Sequence, residues 1–449
     1  MISMARVRLF ILSFLTSTAM YGVGLSFSGY SLPPVAITPD KSTGLDALYV
    51  LDSTEGVVAT YSATSSANAV RWYAFGSSGG AYARELPSSS SGSRSSIVLG
   101  AEDCGLIVEE ENRRYYFWIV NYANRPCDLR DAYVRPDESD CQSVRLEVEG
   151  SAKRITYYTI TGTPKELDRE ISVSYNTLVY DQDKETYIGE RTGETVAAIE
   201  GSLRVYAPLC DTSFRIDGDR FLRQWGREQQ IETPIWHTTA IAVETSARQA
   251  ERDADNESSS SSAGGLGGSA PVDITFTAAV TDAVVFTEWQ FSATPDFDVI
   301  DLRFNRTDLD YTFRDYGTTY VRFMSANDSG VCEAFGPTYE VSVGESKLLC
   351  PNAFSPGSSE GVNDEWKVSY KSIIEFECHI FNRWGTKMIT LTDPSQGWDG
   401  KYNGKLVPAG VYYYVIKARG ADGKDYKLSG DINIVGTRRN NNYLQSENP

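Results

Sequence analysis

The sequence contains almost no histidine and no closely spaced cysteine pairs. Its 449 residues include 2 histidines, His237 and His379, and 7 cysteines. None of the cysteines are in a C-x-x-C spacing. Structural zinc sites take their ligands from such closely spaced pairs, so we expect no zinc site. Nothing else in the sequence predicts a cofactor.

Clustered basic charge is absent as well. The chain has 42 Lys+Arg against 60 Asp+Glu, which gives a net charge of -18, and no basic run interrupts this acidity. Phosphate binding requires clustered positive charge, so we do not expect a nucleic-acid partner. The acidity itself favours solubility.

Beyond the N-terminus, the sequence lacks an apolar run of the roughly 18 residues that a membrane helix needs. The N-terminus has Arg6 and Arg8, then an apolar core over residues 9–15, then small residues up to Ala19. This order predicts a signal peptide over residues 1–19, and therefore an exported chain. Export exposes the chain to an oxidising compartment, where disulfides form.

Short apolar runs alternate with turn signals at a spacing of about 8–12 residues, and no segment has the pattern of a long amphipathic helix. This pattern predicts an all-β chain of tandem immunoglobulin-like β-sandwich domains. A polar stretch rich in serine and glycine predicts a flexible linker. The predicted divisions are sandwiches over residues 32–125 and 126–248, the linker over 249–270, and sandwiches over 271–345 and 346–439.

Aromatic residues indicate the type of two of these sandwiches. Trp72 in an early strand, with an aromatic-rich later strand, makes the first resemble an immunoglobulin-like domain. The third has a strand centred on Trp289, then Tyr311-Thr312-Phe313 and an aromatic strand from Gly317. In this order, these features resemble the PKD-like class of immunoglobulin folds.

The last sandwich carries several motifs in a fixed order, among them Asn382-Arg383-Trp384-Gly385 and Pro408-Ala409-Gly410-Val411-Tyr412. Together they resemble the gliding-motility-associated C-terminal domain, the type B sorting domain of type IX secretion cargo. The resemblance implies recognition by the secretion machinery of the outer membrane, and a cell-surface or extracellular location. The signature residues are Pro351, Asn352, Phe354, Asn363, Asp364, Asn382, Arg383, Trp384, Gly385, Trp398, Asp399, Gly400, Gly404, Pro408, Gly410, Tyr412 and Arg438.

Two local features of this sandwich can be interpreted without the resemblance. Asp422-Gly423 between two strand-like runs predicts a hairpin with a type I′ turn. Cys350 and Cys378 fall in what should be neighbouring strands, which predicts a disulfide; the alternatives are a Cys332–Cys350 bond or two free thiols. An odd number of cysteines leaves at least one without an intrachain partner. The pairing of the remaining cysteines stays open: Cys104, Cys127, Cys141, Cys210 and Cys332.

Candidate catalytic motifs are weak. Residues 76–80 satisfy G-x-S-x-G, but proline and serine follow where the motif requires a helix, so we interpret them as a loop. His237, beside Trp236, is interpreted as a partly buried packing residue. No pair of carboxylates stands out for glycoside hydrolysis.

These observations predict a secreted or cell-surface structural or interaction protein, adhesin-like and not an enzyme, whose partner is a surface protein or a glycan. One alternative is an exported glycosidase with the same sorting domain. Another is a carbohydrate-binding protein in which Trp72, Trp118 or Trp225 stacks on sugar rings. Exposure of these tryptophans would support the last alternative.

Overall fold

A computed structural model describes residues 24–64, 69–258, 265–357 and 361–435. The predicted signal peptide and Arg438 lie outside these residues. The described chain folds into four consecutive β-sandwiches, which confirms the all-β tandem arrangement. Its single described α-helix, α1, spans Arg220–Gln224, and short 3₁₀ helices occupy Lys41–Thr43, Gly80–Tyr82, Tyr122–Asn124 and Pro136–Glu138. No helix among the described residues has the length and apolar character needed to cross a membrane.

The first sandwich packs a four-stranded sheet, β1-β4-β8-β7, on a six-stranded one, β2-β3-β10-β9-β5-β6. Its interior lies between the two sheets and includes the fully buried Trp72. The strands are β1 Ser26–Ser28, β2 Val35–Ile37, β3 Ala47–Leu51, β4 Val58–Ser62, β5 Val70–Phe75, β6 Arg84–Leu86, β7 Ser89–Ser91, β8 Arg94–Val98, β9 Cys104–Glu110 and β10 Arg113–Asn121.

The second sandwich consists of sheets β11-β12-β17, β13-β14 and β16-β15-β18-β19. In β12, buried residues alternate with half-buried ones, as expected for a strand with one face on a core. The strands are β11 Cys127–Val134, β12 Ser143–Ala152, β13 Ile155–Tyr158, β14 Pro164–Leu167, β15 Ile171–Asp181, β16 Thr186–Val196, β17 Ser202–Tyr206, β18 Arg215–Asp217 and β19 Gln230–Glu232.

The first two sandwiches share a hydrophobic core. The six-stranded sheet of the first is buried on both faces, since Trp118 and Val120 on β10 pack with residues of the second sandwich. Arg169 and Asp219, both fully buried, form an ion pair of 2.5 Å between Nη1 and Oδ2 at this junction. Tyr122 donates a hydrogen bond to the same carboxylate at 3.0 Å. These contacts join the two sandwiches into one packed unit.

The third sandwich pairs the sheet β20-β22-β25 with the sheet β21-β28-β26-β23-β24, and β27 adds to β26. Trp289 is fully buried in its core. The strands are β20 Val243–Gln249, β21 Leu266–Gly268, β22 Val272–Val280, β23 Val284–Ser292, β24 Leu302–Phe304, β25 Leu309–Phe313, β26 Gly317–Asn327, β27 Glu333–Phe335 and β28 Tyr339–Val343.

The predicted flexible linker over residues 249–270 includes residues 259–264, which lie outside the described part of the chain, but at both ends of the range the structure has strands. Gln249 ends β20, which pairs with β22, and Leu266–Gly268 form β21, which pairs with β28. The third sandwich therefore starts at Val243, inside the predicted second domain. Composition alone could not reveal this, because the backbone hydrogen bonds of these strands come from partners elsewhere in the chain.

The fourth sandwich is built on a five-stranded sheet, β30-β37-β36-β32-β33, with two small sheets, β29-β31 and β34-β35. Trp366 and Trp398 are fully buried in its core. The strands are β29 Lys347–Leu349, β30 Ala353–Phe354, β31 Ser369–Lys371, β32 Ile373–Phe381, β33 Lys387–Leu391, β34 Lys401–Tyr402, β35 Lys405–Leu406, β36 Gly410–Gly420 and β37 Asp425–Ile434.

The predicted hairpin between β36 and β37 is present, but its turn is not of type I′. A type I′ turn needs positive φ at both central residues. Among the two, only Gly423 has positive φ, at 76°; Asp422 does not. The Gly420 N–H instead bonds to the Lys424 carbonyl at 2.9 Å, so a three-residue loop with glycine in the left-handed position joins the strands.

The cysteine pairing also differs from the prediction. Cys141 and Cys332 form a disulfide, while Cys350 and Cys378 are free. Cys378 is buried on the inner face of β32, and the Cys350 thiol has the Tyr414 hydroxyl as its hydrogen-bonding neighbour. The two thiols thus share one core without bonding. Burial raises the pKa of Cys378 to about 12, so it is a poor nucleophile for forming a disulfide.

Candidate functional site

The signature residues Asn382 to Gly385 form the turn between β32 and β33. The Asn382 side-chain oxygen accepts hydrogen bonds from the backbone N–H of Trp384, at 3.0 Å, and of Thr386, at 2.9 Å. Gly385 closes the turn with φ of 82°, a conformation that glycine adopts without steric cost. This bonding fixes the turn, and the side chain of Trp384 is 74% exposed at its tip.

Arg383 lies against this exposed tryptophan. Its guanidinium carbon is 4.2 Å from the centre of the Trp384 ring, within the range of a cation–π interaction. Tryptophan and arginine are enriched among the residues that contribute most to protein–protein recognition. The pair presents an apolar plane and a positive charge side by side.

A second wall is formed where the chain enters β36. The Tyr412 hydroxyl donates a hydrogen bond to the Pro408 carbonyl at 3.0 Å, which ties the entry of the strand to its first turn. The ring of Tyr412 is buried and packs on Trp398, with centroids 5.2 Å apart. The core of the sandwich therefore holds this wall in place.

The two walls enclose a groove of about 340 Å³. Six signature residues line it, from two motifs that are more than twenty residues apart in sequence. Its other lining residues are mostly apolar, and sequence reasoning missed them because each is unremarkable alone. The signature residues in the groove are Asn382, Arg383, Trp384, Pro408, Gly410 and Tyr412, and the others are Thr386, Met388, Tyr402, Val407, Ala409 and Val411.

Another group of signature residues supports the core. Trp366 donates through Nε1 to the Pro351 carbonyl at 2.7 Å. Phe354 packs on Trp398 with ring centroids 5.6 Å apart. The Asn352 carbonyl accepts the backbone N–H of Asn433 at 2.8 Å, which holds β30 against β37. These residues stabilise the fold of the sandwich and do not form part of the groove.

The acidic and glycine signature residues organise loops. The Asp364 carboxylate accepts the N–H of Gly357 at 2.8 Å and of Gly361 at 2.7 Å, and Asn363 beside it has φ of 55°. Asp399 bonds to Lys401 at 2.7 Å, and this hydrogen bond lowers the pKa of the carboxyl. Gly400 and Gly404 both have positive φ in the following turn. No cluster of three or more potential metal ligands occurs among the described residues.

Residues 348–434 match the CHU_C Type IX secretion signal domain. The match confirms the resemblance drawn from the motifs, and it covers the whole groove. The chain is therefore exported to the cell surface or the extracellular space. Residues 133–233, within the second sandwich, match a Fibronectin type III domain.

The solved structures that match the chain resemble it only weakly. Three N-terminal domains of the bacteriophage RB49 Hoc capsid protein are 9% identical, with 69% of this chain and 99% of that chain covered and a TM-score of 0.21. The fibronectin(III)-like modules of Clostridium thermocellum CbhA are 12% identical, with 45% of this chain and 99% of that chain covered and a TM-score of 0.18. Dimeric latent PorU from Porphyromonas gingivalis is 9% identical, with 72% of this chain and 35% of that chain covered and a TM-score of 0.15. These TM-scores are too low for the three structures to inform function. No curated protein matches the chain.

The weak catalytic motifs are not brought together. The G-x-S-x-G residues lie in the first sandwich, between β5 and a 3₁₀ helix, whereas His237 lies beyond β19. The interpretation of His237 as partly buried is wrong, since its side chain is 83% exposed and bonds to Asp211 at 2.6 Å. The hydrogen bond from His237 lowers the pKa of Asp211. The pair is an exposed surface contact.

The tryptophans considered for sugar stacking point inward. Trp72, Trp118 and Trp225 are 0%, 2% and 8% exposed. Trp225 also donates to the Pro33 carbonyl at 2.9 Å, across the junction of the first two sandwiches. None of the three offers a ring face to a ligand, so the carbohydrate-binding alternative loses its proposed residues.

Proposed function

We propose that the chain is a non-catalytic, adhesin-like protein of the cell surface, and that the secretion machinery of the outer membrane recognises it through the groove of the fourth sandwich. The exposed Trp384 beside Arg383 is the observation that carries this proposal. Hydrogen bonds from Asn382 fix the turn that carries Trp384, so the fold itself keeps the Trp384 side chain exposed. Proteins that dock reversibly present this kind of aromatic and arginine anchor.

The adhesin-like part rests on how the sandwiches are joined. A shared core links the first two, a disulfide links the second to the third, and hydrogen bonds link the third to the fourth. Such connections hold the modules in a defined relative arrangement, as suits a protein that presents a binding surface at a distance. In this proposal the third sandwich is a PKD-like module.

Secretion of full-length variants tests the groove. Trp384→Ala and Arg383→Ala should leave the chain folded but retained in the periplasm, because the exposed side chains contribute to docking and not to the core. Tyr82→Ala is the matched control, since Tyr82 is an exposed aromatic residue, 80% accessible, on the first sandwich. Cell fractionation with surface protease treatment measures location.

Normal surface delivery of the Trp384→Ala and Arg383→Ala variants would refute recognition through the groove. The adhesin-like role is tested separately, by comparing attachment of wild-type cells and cells lacking the protein. Equal attachment to every surface and partner tried would contradict that role.

A further inference from the structure

The outer face of the third sandwich carries an arginine held between two aromatic rings. The guanidinium carbon of Arg322, on β26, lies 4.0 Å from the ring centre of Phe297 and 4.7 Å from that of Phe335. Phe297 comes from the loop between β23 and β24, and Phe335 from the end of β27. We call these three residues the Arg322 clamp.

A buried amide fixes the orientation of the guanidinium. Arg322 donates through Nε to the side-chain oxygen of Gln290 at 2.8 Å, and Gln290 is only 4% exposed. The Gln290 amide in turn donates to Glu288 at 2.7 Å, and Arg303 pairs with the same carboxylate at 2.5 Å. The network thus positions Arg322, while the nearby carboxylate is already bound to another arginine.

The clamp also holds one residue in an unfavourable backbone conformation. Phe297 has φ of 58°, which is uncommon for a bulky residue and persists only where the surroundings enforce it. Its side chain is nevertheless only 6% exposed, beneath the guanidinium. Strain of this kind is often found at ligand-binding positions.

The clamp contains no acidic side chain of its own. Among the described residues no carboxylate forms an ion pair with Arg322, although the chain has 60 acidic residues. Burial lowers the pKa of Arg322, as expected for a charge that is partly desolvated and has no counter-charge. The terminal nitrogens of a planar guanidinium match the two oxygens of a carboxylate.

We propose that the Arg322 clamp binds a carboxylate of an acidic polysaccharide, with the uronic acid ring resting beside Phe335. Phe335 is 49% exposed, so it offers apolar surface next to the charge. A pyranose ring with its carboxylate presents the complementary pair of an apolar C–H face and an anion. An acidic peptide would use the charge but has no need of the phenyl face.

The net charge of the chain sets the expected behaviour of this site. At -18 the protein repels a polyanion at long range, so attraction must come from close contact at Arg322. Binding should therefore depend on close contact between one uronate ring and the clamp, and not on the total charge of the oligosaccharide. This site would give the proposed adhesin-like role a ligand class. The inference depends on that role only in assuming that the glycan is extracellular.

Titration calorimetry of the purified full-length chain tests the proposal without reference to secretion. The probes are oligogalacturonate, the matching neutral oligogalactose, and a poly-glutamate peptide. Oligogalacturonate should bind, and neither of the other two should. Arg322→Gln should weaken binding by about tenfold or more, the loss expected for a charged hydrogen-bonding pair. Phe335→Ala should weaken it by a smaller factor.

Arg314→Gln is the matched control, because Arg314 is an exposed arginine of the same sandwich. Arg322→Lys keeps the charge and loses the planar fork, so it should bind more weakly than wild type but better than Arg322→Gln. Unchanged thermal unfolding midpoints verify that each variant is folded. Binding that survives Arg322→Gln, equal binding of the neutral oligosaccharide, binding of the peptide alone, or no binding at all would each overturn the proposal.

Discussion

Cys141 and Cys332 join the second and third sandwiches covalently, although 191 residues separate them in sequence. Asn327 also donates to the Thr239 carbonyl at 3.2 Å, and Arg248 of the third sandwich pairs with Glu185 at the tip of the β15–β16 hairpin. The bond thus joins two sandwiches whose hydrophobic cores are separate clusters. It leaves Cys350 and Cys378 as thiols inside the fourth sandwich.

Peptide mapping without reduction should show a Cys141–Cys332 peptide. Denaturation and alkylation should label Cys350 and Cys378 fully, since the structure places neither in a bond. A Cys350–Cys378 peptide would show that the pairing predicted from sequence is formed in the exported protein and would contradict the structure at this point.

Replacing Cys141 and Cys332 together by serine should loosen the second and third sandwiches with little effect on the core of either. The reason is that the bond crosses a junction and does not close a loop within one core. Small-angle scattering should report a larger radius of gyration for the variant, while the circular dichroism spectrum stays unchanged. An identical radius of gyration would mean that the noncovalent contacts suffice.

The buried ion pair at the first junction should be sensitive to loss of one partner. Arg169→Ala leaves the fully buried Asp219 without its counter-charge, which costs about 3–5 kcal/mol of unfolding free energy. Arg154→Ala, which removes the exposed pair with Glu166, should cost about 1 kcal/mol or less. Chemical denaturation of both variants measures the difference. Similar losses would argue against the buried pair as a support of the junction.

Two tryptophans of the fourth sandwich should separate folding from recognition. Trp398→Ala empties a fully buried site and should destabilise the domain by about 3–5 kcal/mol, which also abolishes export. Trp384→Ala should abolish export with no change in the unfolding midpoint, because its side chain is mainly in solvent. Calorimetry of the two variants, alongside the secretion assay, provides the comparison. A large drop in stability for Trp384→Ala would assign that residue a structural role.

The pKa of Asp399 predicts a contribution to acid stability. Its hydrogen bond with Lys401 lowers the carboxyl pKa below the ordinary value of 3.8. The stabilisation is therefore complete above pH 3.8 and is lost as the pH falls through the lower, folded-state pKa. Asp399→Asn should reduce the unfolding midpoint at pH 7, and the difference from wild type should shrink toward pH 2. A constant difference over this range would exclude the linkage.

The sequence by itself determined the all-β class of this protein and the sorting domain at residues 348–434. Alternation of apolar and polar residues predicts strands because side chains in a strand point to opposite faces in turn, and β12 shows this pattern. The ordered motifs between Pro351 and Tyr412 identified the sorting domain, because turns such as Asn382 to Gly385 depend on local side-chain and glycine chemistry. Features that depend only on neighbouring residues can be predicted from the sequence alone.

Only the tertiary structure decided which distant residues meet. Val243–Gln249 form a strand because β22 supplies its hydrogen bonds, and Trp118 is buried because a second sandwich covers the outer face of its sheet. The groove of the fourth sandwich and the Arg322 clamp likewise assemble from separate strands and loops. In each case the stabilising contacts form between segments that are far apart in sequence. The pattern of apolar and polar residues in a strand does not specify which strands pair or which faces pack together.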